Sequence, residues 1–423
     1  MTHLRRWRYS ISAALAGAGM FAVSQAAAVE VTVWCWDQNF NGATMEEAAS
    51  RFKAAHPDFD LSVVIWDRGD LEQKLQAQFA AGVTDGLPDI VLIEDYSAQK
   101  FLLSYPGSFE PLGDRIDMSK FAQYKVDLAT VNGKAYSLPF DSGVTGWFYR
   151  TDILAEAGYS PEDLENITFD QVFEIGEQVL EKTGHPLLSV RVDSASDTRY
   201  MLQSAGQWYT DENGQPNLVG SPVFEEAIEV YGRMLNSDVA KTVSGWSEYT
   251  GAFLSGEAAS VISGVWMTAT IKSNPEFAGK WGVAPVPRLN SGGSKNASNT
   301  GGSSWYVLAS APEKDTAVQF LDEIWGGDVD FYQKILIGQG AFGSLLAARD
   351  GPAFRASDDF FGGQPVWQNF STWMEEIPGV DYGIFSYEAI NAITAQAPAL
   401  ARGEKPIDEI IEEIDTQVQQ LTN

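Results

Sequence analysis

The chain has 423 residues and carries 57 acidic against 28 basic side chains, which gives a formal net charge of −29. This length exceeds the roughly 250–300 residues at which one hydrophobic core stops growing, so we expect two lobes. Such an excess of acid repels phosphate backbones and anionic lipid, and we expect no nucleic-acid partner. The single cysteine allows no internal disulfide, and no metal or other cofactor is implied.

The first 28 residues have the pattern of a secretory signal peptide. Three arginines precede a short apolar run from Ile11 to Val23, and Ala26–Ala28 offers a small-residue cleavage site. The alternative, a single anchoring helix, is disfavoured because the apolar run is too short to span a bilayer comfortably. Cleavage near Ala28 removes three arginines and no acid, so the mature chain carries a charge of −32. We expect that chain to be exported to the periplasm.

Strands and helices alternate over the first hundred mature residues. Period-two alternation or short apolar runs predict strands at Val29–Cys35, Leu61–Trp66 and Ile90–Ile93. A capping box at Thr44 and Glu47 predicts a helix that ends before Pro57, and a second helix is expected from Asp70 to Gly82. This order is typical of a parallel, right-handed α/β sheet.

Later segments continue the same pattern with weaker strands. Ser221 followed by a proline predicts the start of a helix, and Ala258–Val265 predicts a buried strand. Helices are also expected at Asp315–Trp325 and at Ile407–Leu421, which would end the chain against the core. The polar stretch Asn290–Ser304 is interpreted as a connector between two structured regions.

Aromatic and polar side chains follow the carboxyl ends of the predicted strands. Ligand crevices of open α/β sheets lie beyond these ends. The residues at these positions are Trp36, Asp37, Asn39, Glu94, Asp95, Tyr96 and Trp266. A sugar ring offers an apolar face that stacks on an indole, and it offers hydroxyl protons that a carboxylate accepts. These positions therefore predict a carbohydrate site.

Longer stretches resemble one family along the whole mature chain. Asn132–Gly143, followed by Trp147–Arg150, is similar to the first inter-lobe crossover of family 1 extracellular solute-binding proteins, the sugar-capturing components of ABC importers. Ser255–Trp266 resembles their segment before a stacking tryptophan, and Gly301–Val307 resembles their return crossover. The opening Trp34–Asp37 is similar to a branch that takes di- and oligosaccharides, which includes lactose-binding members.

The resemblance implies an α/β fold of two lobes, joined by crossover hinges and closing on a ligand between them. Lobe 1 would comprise residues 29–138 and 302–340, and lobe 2 residues 139–301 and 341–423. The ligand contacts that the resemblance implies are Trp36, Asp37, Glu94, Asp95, Asp141, Trp266, Gly302 and Ser303. Trp246 and Trp305 are further candidates, and Trp373 or Phe385 would supply an aromatic contact from the C-terminal region.

Several of these residues also have a purely structural interpretation. Trp34 is assigned to packing rather than to the ligand, since several tryptophans must fill the core. Glu94 and Asp95 could cap the helix that follows them, and Asp141 could be a turn residue. The spacing of Gly338–Gly343 matches a dinucleotide fingerprint by letter, but it follows a helical segment rather than a strand, so we discount it.

Two functions remain open at this point. The first is a monomeric binding protein that delivers a di- or oligosaccharide, with lactose or another galactoside expected first, to an inner-membrane ABC permease. The second is a secreted carbohydrate-active hydrolase in which Glu94, Asp95 or Asp141 would form the acid and base pair. Adjacent residues on one strand end point to opposite sides, which suits hydroxyl acceptors better than two carboxylates facing one bond. The sequence therefore favours binding without catalysis.

Overall fold

The structure is a computed structural model that describes residues 29–211 and 214–422, so the predicted signal peptide lies outside the described residues. The strands of the described part are β1 (Val29–Cys35), β2 (Phe59–Ile65), β3 (Ile90–Glu94), β4 (Thr130–Val131), β5 (Lys134–Ala135), β6 (Ser137–Arg150), β7 (Leu188–Arg191), β8 (Ala240–Val243), β9 (Ser260–Gly264), β10 (Trp281–Pro285) and β11 (Asn299–Val307).

Helices surround these strands on both faces. Those of the described part are α1 (Ala43–Ala55), α2 (Arg68–Ala81), α3 (Asp95–Ser104), α4 (Gln123–Leu128), α5 (Thr151–Ala157), α6 (Phe169–Thr183), α7 (Asp197–Ser204), α8 (Pro222–Asn236), α9 (Gly245–Leu254), α10 (Met267–Lys272), α11 (Lys314–Phe320), α12 (Val329–Gln339), α13 (Pro352–Arg355), α14 (Val366–Glu376), α15 (Ser386–Arg402) and α16 (Ile407–Thr422).

The first three strands form a parallel unit, which we call the first half-sheet. β1 lies between β2 and β3 and is parallel to both, in a register that joins Val29 to Phe59 and Cys35 to Ile65. Val31, Val33 and Cys35 are fully buried on one side of β1, as the period-two alternation predicts. The parallel α/β arrangement expected for this part of the chain is confirmed.

A second group of strands forms the second half-sheet. It is separated from the first by β11 and β6, the two crossing strands. It contains β9, β7 and β8 in that order, with β10 paired to the other edge of β6. The helix predicted after Ser221 is α8, and the Ser221 hydroxyl accepts a hydrogen bond from the Phe224 amide at 3.3 Å. The predicted C-terminal helix is α16, whose buried isoleucines and valine pack into the core of this half.

Two long strands connect the half-sheets. β6 pairs with β11 up to Val144, and it pairs with β9 from Thr145 onward. A third segment returns after α12, because the Ser142 amide donates to the Phe342 carbonyl at 2.9 Å and the Ser344 amide donates to the Phe140 carbonyl at 3.0 Å. The chain therefore forms two α/β lobes that meet where these three segments run side by side.

Two local predictions are wrong. The polar stretch Asn290–Ser304 is not only a connector, because its last six residues begin the central strand β11. The capping box does not begin α1: Thr44 is buried and its hydroxyl donates to the Asn41 carbonyl at 2.9 Å. The helical path starts earlier, in a turn whose cap is Asp37.

No helix within residues 29–211 and 214–422 combines the length and the apolar character needed to cross a bilayer.

Candidate functional site

The main cavity of the described structure is a cleft of about 730 Å³ between the carboxyl ends of the two half-sheets. Six aromatic side chains line it, namely Trp36, Tyr96, Tyr200, Trp246, Tyr249 and Trp266. Five charged side chains share the lining, namely Arg68, Glu94, Arg191, Asp197 and Arg199. The position follows the general rule for open α/β sheets, and the size falls in the range of small-molecule sites.

Two tryptophans from the second half-sheet form one wall of the cleft. Trp266 is the second residue after β9, and its indole nitrogen donates to the Thr300 carbonyl at 3.0 Å. Trp246 lies in the first turn of α9, with its ring centroid 5.8 Å from that of Trp266. Trp246 is 47 % exposed, which is unusual for so large an apolar side chain. This wall therefore presents apolar faces that a flat ligand could cover.

Opposite that wall, β1 and β3 deliver Trp36 and Glu94. The Glu94 carboxylate accepts a hydrogen bond from Arg68 at 2.9 Å and another from the Tyr387 hydroxyl. Arg68 also reaches Glu72 at 3.2 Å, so its positive charge is shared between two carboxylates. Burial and the neighbouring Glu94 hold the pKa of Tyr387 well above its usual range. Tyr387 therefore stays protonated and acts as a donor to Glu94.

The residue after Glu94 belongs to a different environment. Asp95 is fully buried and forms an ion pair of 2.6 Å with Lys125, which is also fully buried. The Lys125 ammonium donates to the Ser303 carbonyl as well, at 2.9 Å, and the Ser303 hydroxyl donates to the Asp141 carboxylate. Burial raises the pKa of Asp95 to about 7, although the charge of Lys125 opposes that shift. This crossover cluster, made of Asp95, Lys125, Asp141 and Ser303, links α3 and α4 to β6 and β11.

On the far side of the cleft, α7 places Arg199 against two tyrosine rings. Its guanidinium carbon lies 4.2 Å from the ring centroid of Tyr96 and 5.0 Å from that of Tyr387. Arg199 is 9 % exposed, and its Nε is buried without a hydrogen-bond partner. Packing against the rings, rather than hydrogen bonding through Nε, fixes the guanidinium at the cleft.

The sequence matches a family model described as bacterial extracellular solute-binding protein over residues 38–324. The chain belongs to this family. It is 52 % identical to a lactose-binding protein of Rhizobium radiobacter over 99 % of both chains. It is 28 % identical to an arabinooligosaccharide-binding protein of Bacillus subtilis (strain 168), over 69 % of this chain and 68 % of that one. The solved structure of the sugar-binding protein MalE from Xanthomonas citri has the same fold, with a TM-score of 0.78, 20 % identity and coverage of 93 % and 97 %.

The two-lobed fold of this solute-binding protein is thus confirmed, and the cleft contains four of its predicted contacts. Trp36, Glu94, Trp246 and Trp266 line the cleft as expected. Glu94 does not cap α3, since its side chain makes no capping hydrogen bond. The strand-end rule therefore identified side chains that line the cleft from both half-sheets.

Five other predicted contacts lie behind the cleft. Asp95, Asp141 and Ser303 are buried in the crossover cluster. There Asp95 accepts from Lys125, and Ser303 donates to Asp141. Gly302 has a φ of +94°, and a Cβ there would lie 2.7 Å from an Asp95 oxygen, so close packing on that carboxylate requires glycine. Trp305 is fully buried and stacks on Phe140 at 5.4 Å, which corrects its assignment to the ligand.

Asp37 and Asn39 are exposed and lie outside the residues that line the cleft. The Asp37 carboxylate accepts the amide protons of Asn39 at 2.8 Å and Phe40 at 2.9 Å, so it caps the turn before α1. We expected the Asp37 carboxylate to accept protons from sugar hydroxyls, and it instead accepts them from the backbone of its own turn.

Tyr387 is an aromatic side chain of the C-terminal region that bonds to the cleft-lining Glu94. Trp373 lies in a separate groove with Glu165 and Arg288, and Phe385 stands just before α15. Tyr387 reaches Glu94 from the first turn of α15, two residues beyond the predicted position. No local sequence pattern distinguishes Tyr387 from Phe385.

The side chains of α7 were not predicted. They follow β7, a strand of four residues that includes Ser189 and Arg191 and lacks the apolar run of a buried strand. Asp197 and Arg199 follow this strand. An apolar run in β7 would have made the strand recognisable, and the strand-end rule would then have pointed to these two residues. Within the described part of the chain, no group of three or more His, Cys, Asp or Glu side chains is arranged to hold a metal ion.

Proposed function

We propose that this protein is the substrate-binding component of an ABC importer and that its cleft captures a di- or short oligosaccharide, with lactose or another galactoside as the first candidate. The observation that carries the proposal is the cleft itself, where tryptophan faces stand opposite a carboxylate and several hydrogen-bond donors. Such a surface matches the apolar face and the hydroxyl rim of a sugar. The 52 % identity with a lactose-binding protein supports the choice of sugar.

We place the lobe boundaries near Leu138, Gly301 and Gly340, with residues 29–138 and 302–340 in lobe 1 and residues 139–301 and 341–423 in lobe 2. The change of partner along β6 supports a crossover in this region, although it occurs at Val144 and Thr145. The contacts of Tyr387 with Glu94 and of Arg199 with Tyr96 join the two sides of the cleft. Opening would separate these pairs, and a sugar that bridges both walls would favour closure.

Further parts of the proposal concern transport. The extracellular family supports export. We infer that a signal peptide is removed near Ala28 and that the mature chain acts as a monomer in the periplasm. The inner-membrane permease that receives the sugar would be its protein partner. We assign no catalytic step to the cleft.

The contacts of the carboxylates argue against the rival hydrolase. Of Glu94, Asp95 and Asp141, only Glu94 lines the cleft, and Arg68 and Tyr387 already bond to it. A second carboxylate, Asp197, also lines the cleft, but it accepts a hydrogen bond from the Tyr200 hydroxyl at 2.8 Å. Asp95 is paired with Lys125, and Asp141 accepts from Ser303. A glycosidase needs two carboxyl groups on opposite sides of one bond. This arrangement favours binding.

Calorimetric titration of the purified mature chain with lactose, maltose and an arabinose oligosaccharide tests the proposal. We expect saturable binding of lactose at one site, with no free monosaccharide after incubation. Trp246→Ala should weaken lactose binding, whereas Trp373→Ala, in the separate groove, should not. Failure to bind any of the three sugars would overturn the proposed ligand class, and released galactose would favour the hydrolase.

A further inference from the structure

The cleft holds one arginine that differs from the other two in its electrostatic surroundings. Arg68 pairs with Glu94 and Glu72, and Arg191 forms two hydrogen bonds with Asp193 at 3.0 and 3.1 Å. Among the described residues, no Asp or Glu lies within ion-pair distance of Arg199. Arg199 is nevertheless the most buried of the three.

The tyrosines packed around Arg199 are neutral at physiological pH, and Glu94 acts on its charge only from beyond ion-pair distance. Burial raises the pKa of Tyr96, and burial together with Glu94 raises that of Tyr387. Burial raises the pKa of Tyr209 to about 12, although the charge of Arg199 opposes that shift. These phenols therefore stay protonated and supply no countercharge.

A buried cation without a counterion is costly, and the two packed rings offset that cost only in part. Cation–π contacts use the flat face of a guanidinium and leave its N–H edge available. Since Arg199 also lines the cleft, a ligand there meets donors that the protein does not fully use. Two parallel N–H groups of one guanidinium match two neighbouring oxygen atoms.

We propose that Arg199 is the polar anchor of the cleft and recognises a pair of oxygen acceptors on one sugar unit. This inference rests on the proposed function and assigns the specificity of its site to one residue. The oxygen pair comes either from neighbouring hydroxyl groups of a neutral sugar or from the carboxylate of an acidic one. Trp246 and Trp266 supply stacking area, while Arg199 selects the position of the oxygens.

Calorimetry with lactose and with lactobionate, its derivative in which the reducing unit is ring-opened and oxidised to a carboxylate, tests the assignment. Arg199→Met should bind the preferred sugar roughly 10- to 100-fold more weakly, as expected for the loss of charge-assisted hydrogen bonds. Arg199→Lys, which keeps the charge and loses the planar fork, should also bind it several-fold more weakly. A preference for lactobionate that Arg199→Met abolishes identifies the carboxylate as the source; equal binding of both sugars identifies the hydroxyls.

Arg233→Met is the matched control, because Arg233 packs 3.9 Å from the Phe173 ring but pairs with Asp170 outside the cleft. It should leave both affinities within twofold of the parent. A series of monodeoxy lactoses adds a test that a structural role would not satisfy: removal of the recognised hydroxyl should cost affinity in the parent and not in Arg199→Met.

If both Arg199 variants bind lactose and lactobionate as tightly as the parent does, the assignment is overturned and the proposed function stays intact. If Arg199→Met does not fold, the Lys variant decides by the same criterion. A parent chain that binds neither sugar would overturn the proposed function, and this inference with it.

Discussion

The cleft and the crossover cluster begin at neighbouring residues and differ in burial. The Glu94 side chain is 20 % exposed and lines the cleft, where hydroxyl and guanidinium groups from distant helices bond to it. The Asp95 side chain has no exposed surface and faces Lys125. Glu94 ends β3 and Asp95 begins α3, yet one is accessible from the cleft and the other holds the connecting strands together. Carboxylates at a strand end are therefore site residues only where the surrounding chain leaves them accessible.

The largest effect is expected when the buried negative charge of Asp95 is removed. Asp95→Asn leaves the Lys125 ammonium buried without its carboxylate, so we expect the free energy of unfolding to fall by about 3–5 kcal/mol. Urea denaturation measures the change. Asp60→Asn removes an exposed partner of Lys53 and should lower the free energy of unfolding far less, because solvent screens that pair. A similar, small loss in both variants would show that the crossover cluster does not stabilise the fold.

Trp266→Ala tests the cleft side of the comparison. It removes a stacking face, and we expect lactose binding to weaken by about 1–3 kcal/mol, by analogy with aromatic anchors at interfaces. Calorimetry gives the affinity, and thermal unfolding of the sugar-free variant checks that the fold survives. Unchanged affinity in a folded variant would remove Trp266 from the site.

Asp37→Ala gives the smallest expected effect. Because Asp37 caps a turn and does not line the cleft, we expect stability to fall by about 1 kcal/mol while lactose affinity stays within twofold. The two quantities come from urea denaturation and from calorimetry of the same preparation. Weakened binding with unchanged stability would restore Asp37 to the ligand site.

Much of the framework could be predicted from local patterns. The period-two strand β1, the apolar run of β3 and the glycine that ends α2 are visible in the sequence, and the structure has them within a few residues. The ends of the predicted strands then identified Trp36, Glu94 and Trp266 as candidate site residues without any tertiary information. These features depend on neighbours along the chain, which is why a single sequence reveals them.

The rest depends on contacts between distant segments. β11 begins with polar residues, but Asn299 is fully buried because the Tyr124 hydroxyl bonds to its side chain and the Gly143 amide donates to it at 3.0 Å. Its strand character is thus set by partners more than 150 residues away. The same holds for Tyr387, which meets Glu94 only after α15 has packed on α8 and α16. No local pattern records such pairings.

A crystal structure of the mature chain with bound lactose tests the central claim most directly. The account predicts the sugar between Trp36 and the Trp246–Trp266 wall, with Glu94 and Arg199 within hydrogen-bond distance of its oxygens. Asp95, Asp141 and Trp305 should make no contact with it. Lactose bound in the groove beside Trp373, or contacting the residues of the crossover cluster, would contradict the account.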